Sequence, residues 1–304
     1  MRNMIKRRLY VCIPCRDRII LTQKCIESLW ETTKLFNEIF IYVFDNKSDL
    51  DNDRLSIFQE LLKTHKIQYY SYDTEYTLFN CFGKSVVFQR WIDMMLIQKE
   101  VRDFKKVDPQ FMHYYMLVDN DFILGLNWDS YFITVADKIS DYNKDTHFIV
   151  KFPSGIHVDR KSMNETNSII LRNNFTNQPF KVYFSSKAGS SGMWFMTSEM
   201  LKLLKWKYYH FEHTFNSDKK HDTGTWSIIH SEKGKINYVS AIIPPDHERL
   251  LIHLGGEIGS LCNKLQSKQY DDRIKMQLQK REEEIRNMNV YELFEKYKEK
   301  FHKW

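Results

Sequence analysis

The feature that most constrains this chain is an alternation of period along its first half. Leu9 to Ile13 is a short β-branched and aromatic run, followed by a polar loop through Asp17 and then by Leu21, Cys25, Ile26, Leu29 and Trp30 at helical spacing. The order returns: residues 39–44 read as a buried strand ending in Asp45-Asn46-Lys47-Ser48-Asp49, 55–62 as a helix and 67–72 as a third strand. Strands separated by helices pack most simply as a parallel sheet with crossover connections. Val86, Val87, Trp91, Met94, Met95 and Ile97 predict a further helix, and His113 to Val118 a fourth strand that runs directly into Asp119, Asn120 and Asp121. Open α/β sheets bind ligands outside the carboxyl ends of their strands, so function is expected at this turn.

Past the turn the period is less regular. Strand-like pieces at 148–151, 168–171, 181–184 and 238–243, with helices near 200–204 and 225–230, predict a mixed sheet. From about Gln269 the composition shifts to Lys, Arg, Glu and Gln. Ile274, Leu278, Ile285, Met288, Phe294, Tyr297 and Phe301 recur there at helical intervals, which predicts one or two amphipathic helices. They are either an annex laying its apolar stripe on the main domain or a surface for an acceptor or partner. The expected organisation is a domain over 1–265, with a nucleotide-binding half (1–121) and an acceptor half (122–265), and a helical extension over 266–304.

Composition narrows the function classes. A chain of 304 residues with 42% hydrophobic and 28% charged residues can bury a full core without staples. Its longest apolar runs fall far short of the roughly 20 residues of a membrane helix, so no span is expected. The basic start, Arg2 to Arg8, reads as a strand entrance, and five irregularly spaced cysteines suit a reducing compartment; the expected location is the cytoplasm, of a host cell if the chain is viral. A net charge of +6 without a dense basic stripe permits nucleic acid as a partner and does not demand it. Cys12-x-x-Cys15 lacks the further ligands of a zinc site. Gly83-Lys84-Ser85 ends like a phosphate loop, but Leu78 stands where its first glycine is required, which leaves Lys84, or alternatively Arg90, only as a candidate diphosphate contact.

The chemistry-bearing element is the hydrophobic strand that ends in Asp119-Asn120-Asp121. Two carboxylates on a tight turn offer hard oxygen ligands suited to Mg2+ or Mn2+ bridging a diphosphate. An Asp-x-Asp pair alone also forms ordinary turns. In company it gains weight: over residues 8 to 260 the chain resembles a GT-A fold glycosyltransferase of the broad family-two type, in four segments met in order. Ile13-Pro14-Cys15-Arg16-Asp17-Arg18 is similar to that family's opening strand and loop, which implies nucleotide contacts for Pro14 and Arg16. Phe44-Asp45-Asn46-Lys47-Ser48-Asp49 resembles its Asp-Asn-x-Ser-x-Asp signature, which gives Asp45 the nucleobase. In the Asp119-Asn120-Asp121 segment the resemblance implies direct metal contact for Asp121, a ribose or metal-water contact for Asp119, and a place for Asn120 in the donor pocket. Gly189-Ser190-Ser191-Gly192-Met193-Trp194-Phe195-Met196 looks like the stretch that shapes the acceptor side, with His221-Asp222-Thr223-Gly224 standing where the family carries its base.

The resemblance thus implies an α/β GT-A fold, a mixed sheet flanked by helices. It also implies an enzyme that moves a single sugar from a nucleotide sugar to an acceptor hydroxyl with inversion, using Mn2+ or Mg2+. Asp222 would be the catalytic base, although an Asp-Thr-Gly ahead of a helix also reads as an N-cap. His253 would complete the metal shell, with His247 as the alternative, and an imidazole ligand favours Mn2+; a lone His among apolar neighbours is also a common structural residue. The family's Glu-Asp pair is His221-Asp222 here, and no Gln-x-x-Arg-Trp follows, so a processive synthase is not expected, and a retaining reaction is the alternative if Asp222 is not the base. The acceptor class that best suits the basic balance and compact size is a hydroxymethylated base in phage DNA. A glycan, lipid or protein acceptor, or a sugar nucleotidyltransferase, are the alternatives; the last usually opens on a Gly-rich, Arg-bearing loop that Cys15-Arg16-Asp17-Arg18 lacks.

Overall fold

The computed structural model describes residues 6–15, 18–46, 48, 52–65, 67–72, 91–94, 111–142, 146–151, 168–185, 193–198, 237–242, 251–254 and 272–297. The alternating half folds as its periods dictate. Strand β1 (Lys6–Cys15) leads to helix α1 (Ile19–Thr32), β2 (Glu38–Asn46), α2 (Asn52–His65) and β3 (Gln68–Tyr72), and the next described strand is β4 (Phe111–Val118). β1 pairs in parallel with β2 along one edge and with β4 along the other.

Both faces of β1 are covered, which is why its run is apolar almost throughout rather than alternating. Leu9, Val11 and Ile13 enter a core shared with Cys25, Ile26 and Leu29 of α1. Tyr10 faces the other way, stacked between Phe40 at 5.2 Å and Tyr115 at 5.3 Å, its register partners on β2 and β4. Cross-strand ring pairs of this kind add specific contact to simple burial.

The second half is mixed, as expected. It contains β5 (Phe122–Leu124), α3 (Trp128–Tyr142), β6 (Thr146–Lys151), β7 (Ser168–Arg172), β8 (Pro179–Ser185), β9 (Met193–Thr197), β10 (Asn237–Ile242) and β11 (Leu251–His253). Among the described residues nine strands form one sheet in the order β3-β2-β1-β4-β9-β6-β10-β8-β7, and β5 pairs with β11 in a separate two-stranded sheet. β9 runs antiparallel to β4, whereas β10 lies parallel to β6 and antiparallel to β8. Met193 to Met196, read from sequence as part of a Gly-rich segment, are buried residues of this central strand. Residues 91–94 are helical within the expected 86–97 segment, and the helices expected near 200–204 and 225–230 lie outside the described residues.

Two C-terminal helices are present, α4 (Asp272–Ile285) and α5 (Val290–Tyr297). Asn289 and Glu292 form a reciprocal capping box at the start of α5, with Glu292 N donating to Asn289 Oδ1 at 2.9 Å and Asn289 N to Glu292 Oε2 at 2.8 Å. Lys296 Nζ reaches Glu284 Oε1 at 2.7 Å and clasps the pair. Their apolar stripe (Ile285, Val290, Leu293, Tyr297) buries against Ile20 and Leu21 of α1, Ile123 of β5 and Ile252 of β11. Among the described residues no helix is long and apolar enough to cross a membrane.

Candidate active site

The parallel strands β1, β2 and β4 end side by side: Cys15 is in register with Asp45, and Cys12 with Leu117, one residue from the end of β4. The chain leaves β1 toward β2 on one side and returns as β4 on the other, so the strand order reverses between β1 and β4. Open α/β sheets bind ligands outside the carboxyl ends of their strands at such a reversal. Three groups of polar side chains meet at these ends.

The first is the Asp119–Asp121 turn. Phe122 N donates to Asp119 O at 3.2 Å, and Leu254 N donates to Asp121 O at 2.9 Å, so the turn is held at one end by β11. Along its other side runs α1, where Thr22, Cys25 and Ser28 recur every third residue. Asn120 Nδ2 donates to Thr22 Oγ1 at 3.0 Å, Cys25 Sγ to Asp119 O at 3.7 Å, and Leu124 N to Ser28 Oγ at 3.0 Å. Small polar side chains at this spacing let the turn lie against the helix and satisfy its buried groups. Asn120 is thus directed toward α1 and fastens the turn. Burial, reinforced by the Asp121 and Asp119 charges, pushes the Cys25 thiol well above its ordinary range.

Asp121 is the more enclosed carboxylate, 3% exposed, while Asp119 is half-buried. Arg18 Nη1 lies 3.0 Å from Asp121 Oδ2. Asp119 and Asp121 supply hard oxygen donors, and among the described residues no group of three or more His, Cys, Asp or Glu gathers into a protein cage. That donor set fits Mg2+ or Mn2+, which proteins commonly hold by one or two carboxylates with phosphate oxygens completing the shell. The backbone of His253 lies opposite Phe122 in the β5–β11 pairing, one residue from Asp121.

The second group surrounds Asp45 at the end of β2. This carboxylate is 2% exposed. Its Oδ2 accepts from Tyr69 Oη at 2.7 Å and from Ser48 N at 3.2 Å, and its Oδ1 accepts from Ser48 Oγ. The serine bonds form a local Asx-type turn that fixes the start of the loop. Burial and the hydrogen bond to Asp45 push the Tyr69 hydroxyl above its ordinary range, and burial next to Asp45 pushes the Cys15 thiol up to about 12.

The third group is the end of β1 and the first turn of α1. Pro14 is half-buried opposite Phe44, and Arg18 precedes the first helical residue. Of the residues expected from sequence, Pro14, Asp45, Asp119, Asn120 and Asp121 are brought to one end of the sheet, with the His253 backbone beside them. Arg16, Lys84, Arg90 and Asp222, together with His221, His247 and Gly189 to Gly192, lie outside the described residues.

Sequence reasoning missed Thr22, Ser28 and Tyr69. Arg18 and Ser48 stand in quoted motifs without a role. The Thr22-Cys25-Ser28 spacing is a readable signal in the sequence, masked because Cys25 also belongs to the apolar stripe of α1.

No protein-family model and no curated protein sequence matches the chain. Solved structures do. The chain is similar to S. aureus TarS 1–349 in complex with UDP, at 12% identity and a TM-score of 0.44, over 78% of this chain and 60% of that one. It is similar to the mannosyltransferase PcManGT from Pyrobaculum calidifontis in complex with GDP-Man and Mn2+, at 10% identity and a TM-score of 0.49, over 86% of this chain and 66% of that one. It is also similar to glucosyl-3-phosphoglycerate synthase from Mycobacterium tuberculosis in complex with Mg2+ and UDP, at 10% identity and a TM-score of 0.40, over 81% and 71% respectively. The chain spans about three fifths of the length of the TarS fragment.

Proposed function

We propose that the chain is a metal-dependent glycosyltransferase of the GT-A type that moves one sugar from a nucleotide-sugar donor to an acceptor hydroxyl with inversion. The observation that carries the reading is the convergence of Arg18, Asp45, Asp119 and Asp121 on the carboxyl ends of β1, β2 and β4, at the reversal of strand order. A nucleotide has one base to be read and two phosphates to be neutralised. In this reading Asp45, held by Tyr69 and Ser48, accepts from a base N–H. Asp119 and Asp121 would hold Mn2+ or Mg2+, with His253 as a further ligand; such an ion supplies positive charge against the leaving diphosphate. Arg18 offers a second cation beside the same carboxylate. Asp222 is assigned the proton of the acceptor hydroxyl, a task that needs a carboxylate within hydrogen-bond reach.

The test is a screen of UDP- and GDP-sugars for Mn2+-dependent hydrolysis, followed by Asp121→Asn and Asp222→Asn. Asp121→Asn is expected to abolish Mn2+-dependent donor binding; unchanged affinity removes Asp121 from the metal shell. Asp222→Asn is expected to bind donor and lose transfer, so near-normal turnover removes it as base. Within this reading the acceptor is a hydroxymethylated base in duplex DNA, a choice supported by the net charge of +6. An absent gel shift at low salt with both hydroxymethylated and plain duplex would rule DNA out and leave a glycan, lipid or protein hydroxyl.

A further inference from the structure

Helix α1 begins without a cap of its own: Arg18 at its N-cap makes no side-chain capping bond, and no acidic residue lies in its first turn. The missing acceptor comes from the far end of the chain. Ile20 N, in that first turn, donates to Glu282 Oε1 of α4 at 3.1 Å across 262 residues of sequence. Glu282 is 3% exposed. A carboxylate held there satisfies one of the orphan N–H groups and places negative charge at the positive end of the helix.

Its surroundings make this more than a remote cap. Ile20 and Leu21, flanking the bond, pack with Ile123, Ile252, Leu254, Ile285, Val290 and Leu293 in one cluster. That cluster joins α4 and α5 to three elements that hold the site. They are the first turn of α1, two residues from Arg18; β5, which follows Asp121 directly; and β11, whose next residue bonds to Asp121 O. A buried charge on an otherwise apolar stripe is expensive unless a specific bond rewards it.

We propose that Glu282, through its bond to Ile20 N, is a positioning residue for the Arg18–Asp121 pair. Glu282 fixes the direction in which α1 starts, and with it the point from which Arg18 reaches Asp121. Its effect on nucleotide binding rests on the function proposed above; its effect on the turn does not.

The experiment uses the full chain with Glu282→Ala, Glu282→Gln, which keeps an acceptor oxygen, and Leu293→Ala, which cuts the same cluster without touching the bond. Amide exchange of the metal-free protein should quicken in Glu282→Ala over residues 18–24 and 119–124 and stay unchanged over β6, which a global loss of stability would also move. In calorimetry with UDP or GDP plus Mn2+, affinity should fall about fivefold to tenfold in Glu282→Ala and stay within about threefold of the parent in Glu282→Gln and Leu293→Ala. Should Glu282→Ala fail to fold, Glu282→Gln against Leu293→Ala carries the exchange comparison: slower exchange at 119–124 in Gln at equal melting temperature supports the proposal, and equal exchange overturns it. Unchanged exchange at 119–124 in a folded Glu282→Ala, or a Leu293→Ala that loses affinity in parallel, also overturns it. A parent protein that binds neither nucleotide defeats the donor reading alone, and exchange still decides the role of Glu282.

Discussion

Arg18 Nη1 lies 3.0 Å from Asp121 Oδ2, although 103 residues separate them in the chain. The carboxylate is nearly enclosed and the guanidinium mostly so, a setting in which removing one partner costs more than the pair contributes. Arg18→Ala should therefore lower stability by about 2 kcal/mol without metal. A divalent cation at Asp121 would compensate the same charge, so saturating Mn2+ should narrow the gap between variant and parent. Urea denaturation with and without Mn2+ decides this. A gap that Mn2+ leaves untouched means the ion does not reach Asp121.

The elements of the site differ in how far the sequence revealed them, and the reason is distance. The Asp119–Asp121 turn was readable because its strand is an unbroken apolar run that stops at the first Asp. Asp45 and Ser48 were readable as a local motif, but Tyr69, which completes that carboxylate, comes from the neighbouring strand and depends on sheet order. Arg16 and Arg18 are indistinguishable until the first turn of α1 is fixed. α1 is buried over most of its surface, so counting apolar residues hid its second stripe of Thr22, Cys25 and Ser28. Glu282 drew no notice in the sequence, although it falls at helical spacing between Leu278 and Ile285, because its partner on α1 lies 262 residues away. Strand β9 could not be placed, because its neighbours β4 and β6 are distant in sequence.

The bonds around Asp45 separate two roles that one mutation would confuse. Asp45→Ala leaves the Tyr69 hydroxyl and Ser48 N–H without their acceptor and should cost about 2–4 kcal/mol. Tyr69→Phe removes one donor and leaves the charge in place, so it should cost only about 1 kcal/mol. If Asp45 reads the base, Asp45→Asn should weaken nucleoside diphosphate binding by about tenfold or more while Tyr69→Phe changes it far less. Comparable affinity in both variants would make Asp45 an anchor of its loop and nothing further.

Cys12, Cys15 and Cys25 are buried free thiols. Burial pushes Cys15 up to about 12 and Cys25 well above the ordinary thiol range, so neither supplies thiolate near neutral pH. Labelling of the native protein with a thiol-specific disulfide reagent, mapped by mass spectrometry, should leave these three unmodified and modify them after denaturation. Rapid native labelling of Cys12 or Cys15 would instead point to a redox role for that pair.

Asp129 Oδ2 accepts from Lys34 N at 2.6 Å and Leu35 N at 2.7 Å, tying the first turn of α3 to the segment after α1. Burial raises its carboxyl above the ordinary value of 3.8, and the two backbone bonds only partly oppose that. A raised folded value means the native state holds the proton more tightly than the unfolded chain. The stability contributed by this group is then complete below pH about 3.8 and is lost as pH rises through the folded value. Asp129→Asn keeps an acceptor oxygen and does not titrate, so the parent's stability relative to this variant should decline between pH 4 and pH 7. Asp129→Ala orphans both N–H groups and should lose about 2–4 kcal/mol at either pH. Urea denaturation of the three proteins across that range reads the sign directly: a parental advantage over Asp129→Asn that grows with pH would show that the two N–H bonds outweigh burial and that the carboxylate, not the acid, is the native form.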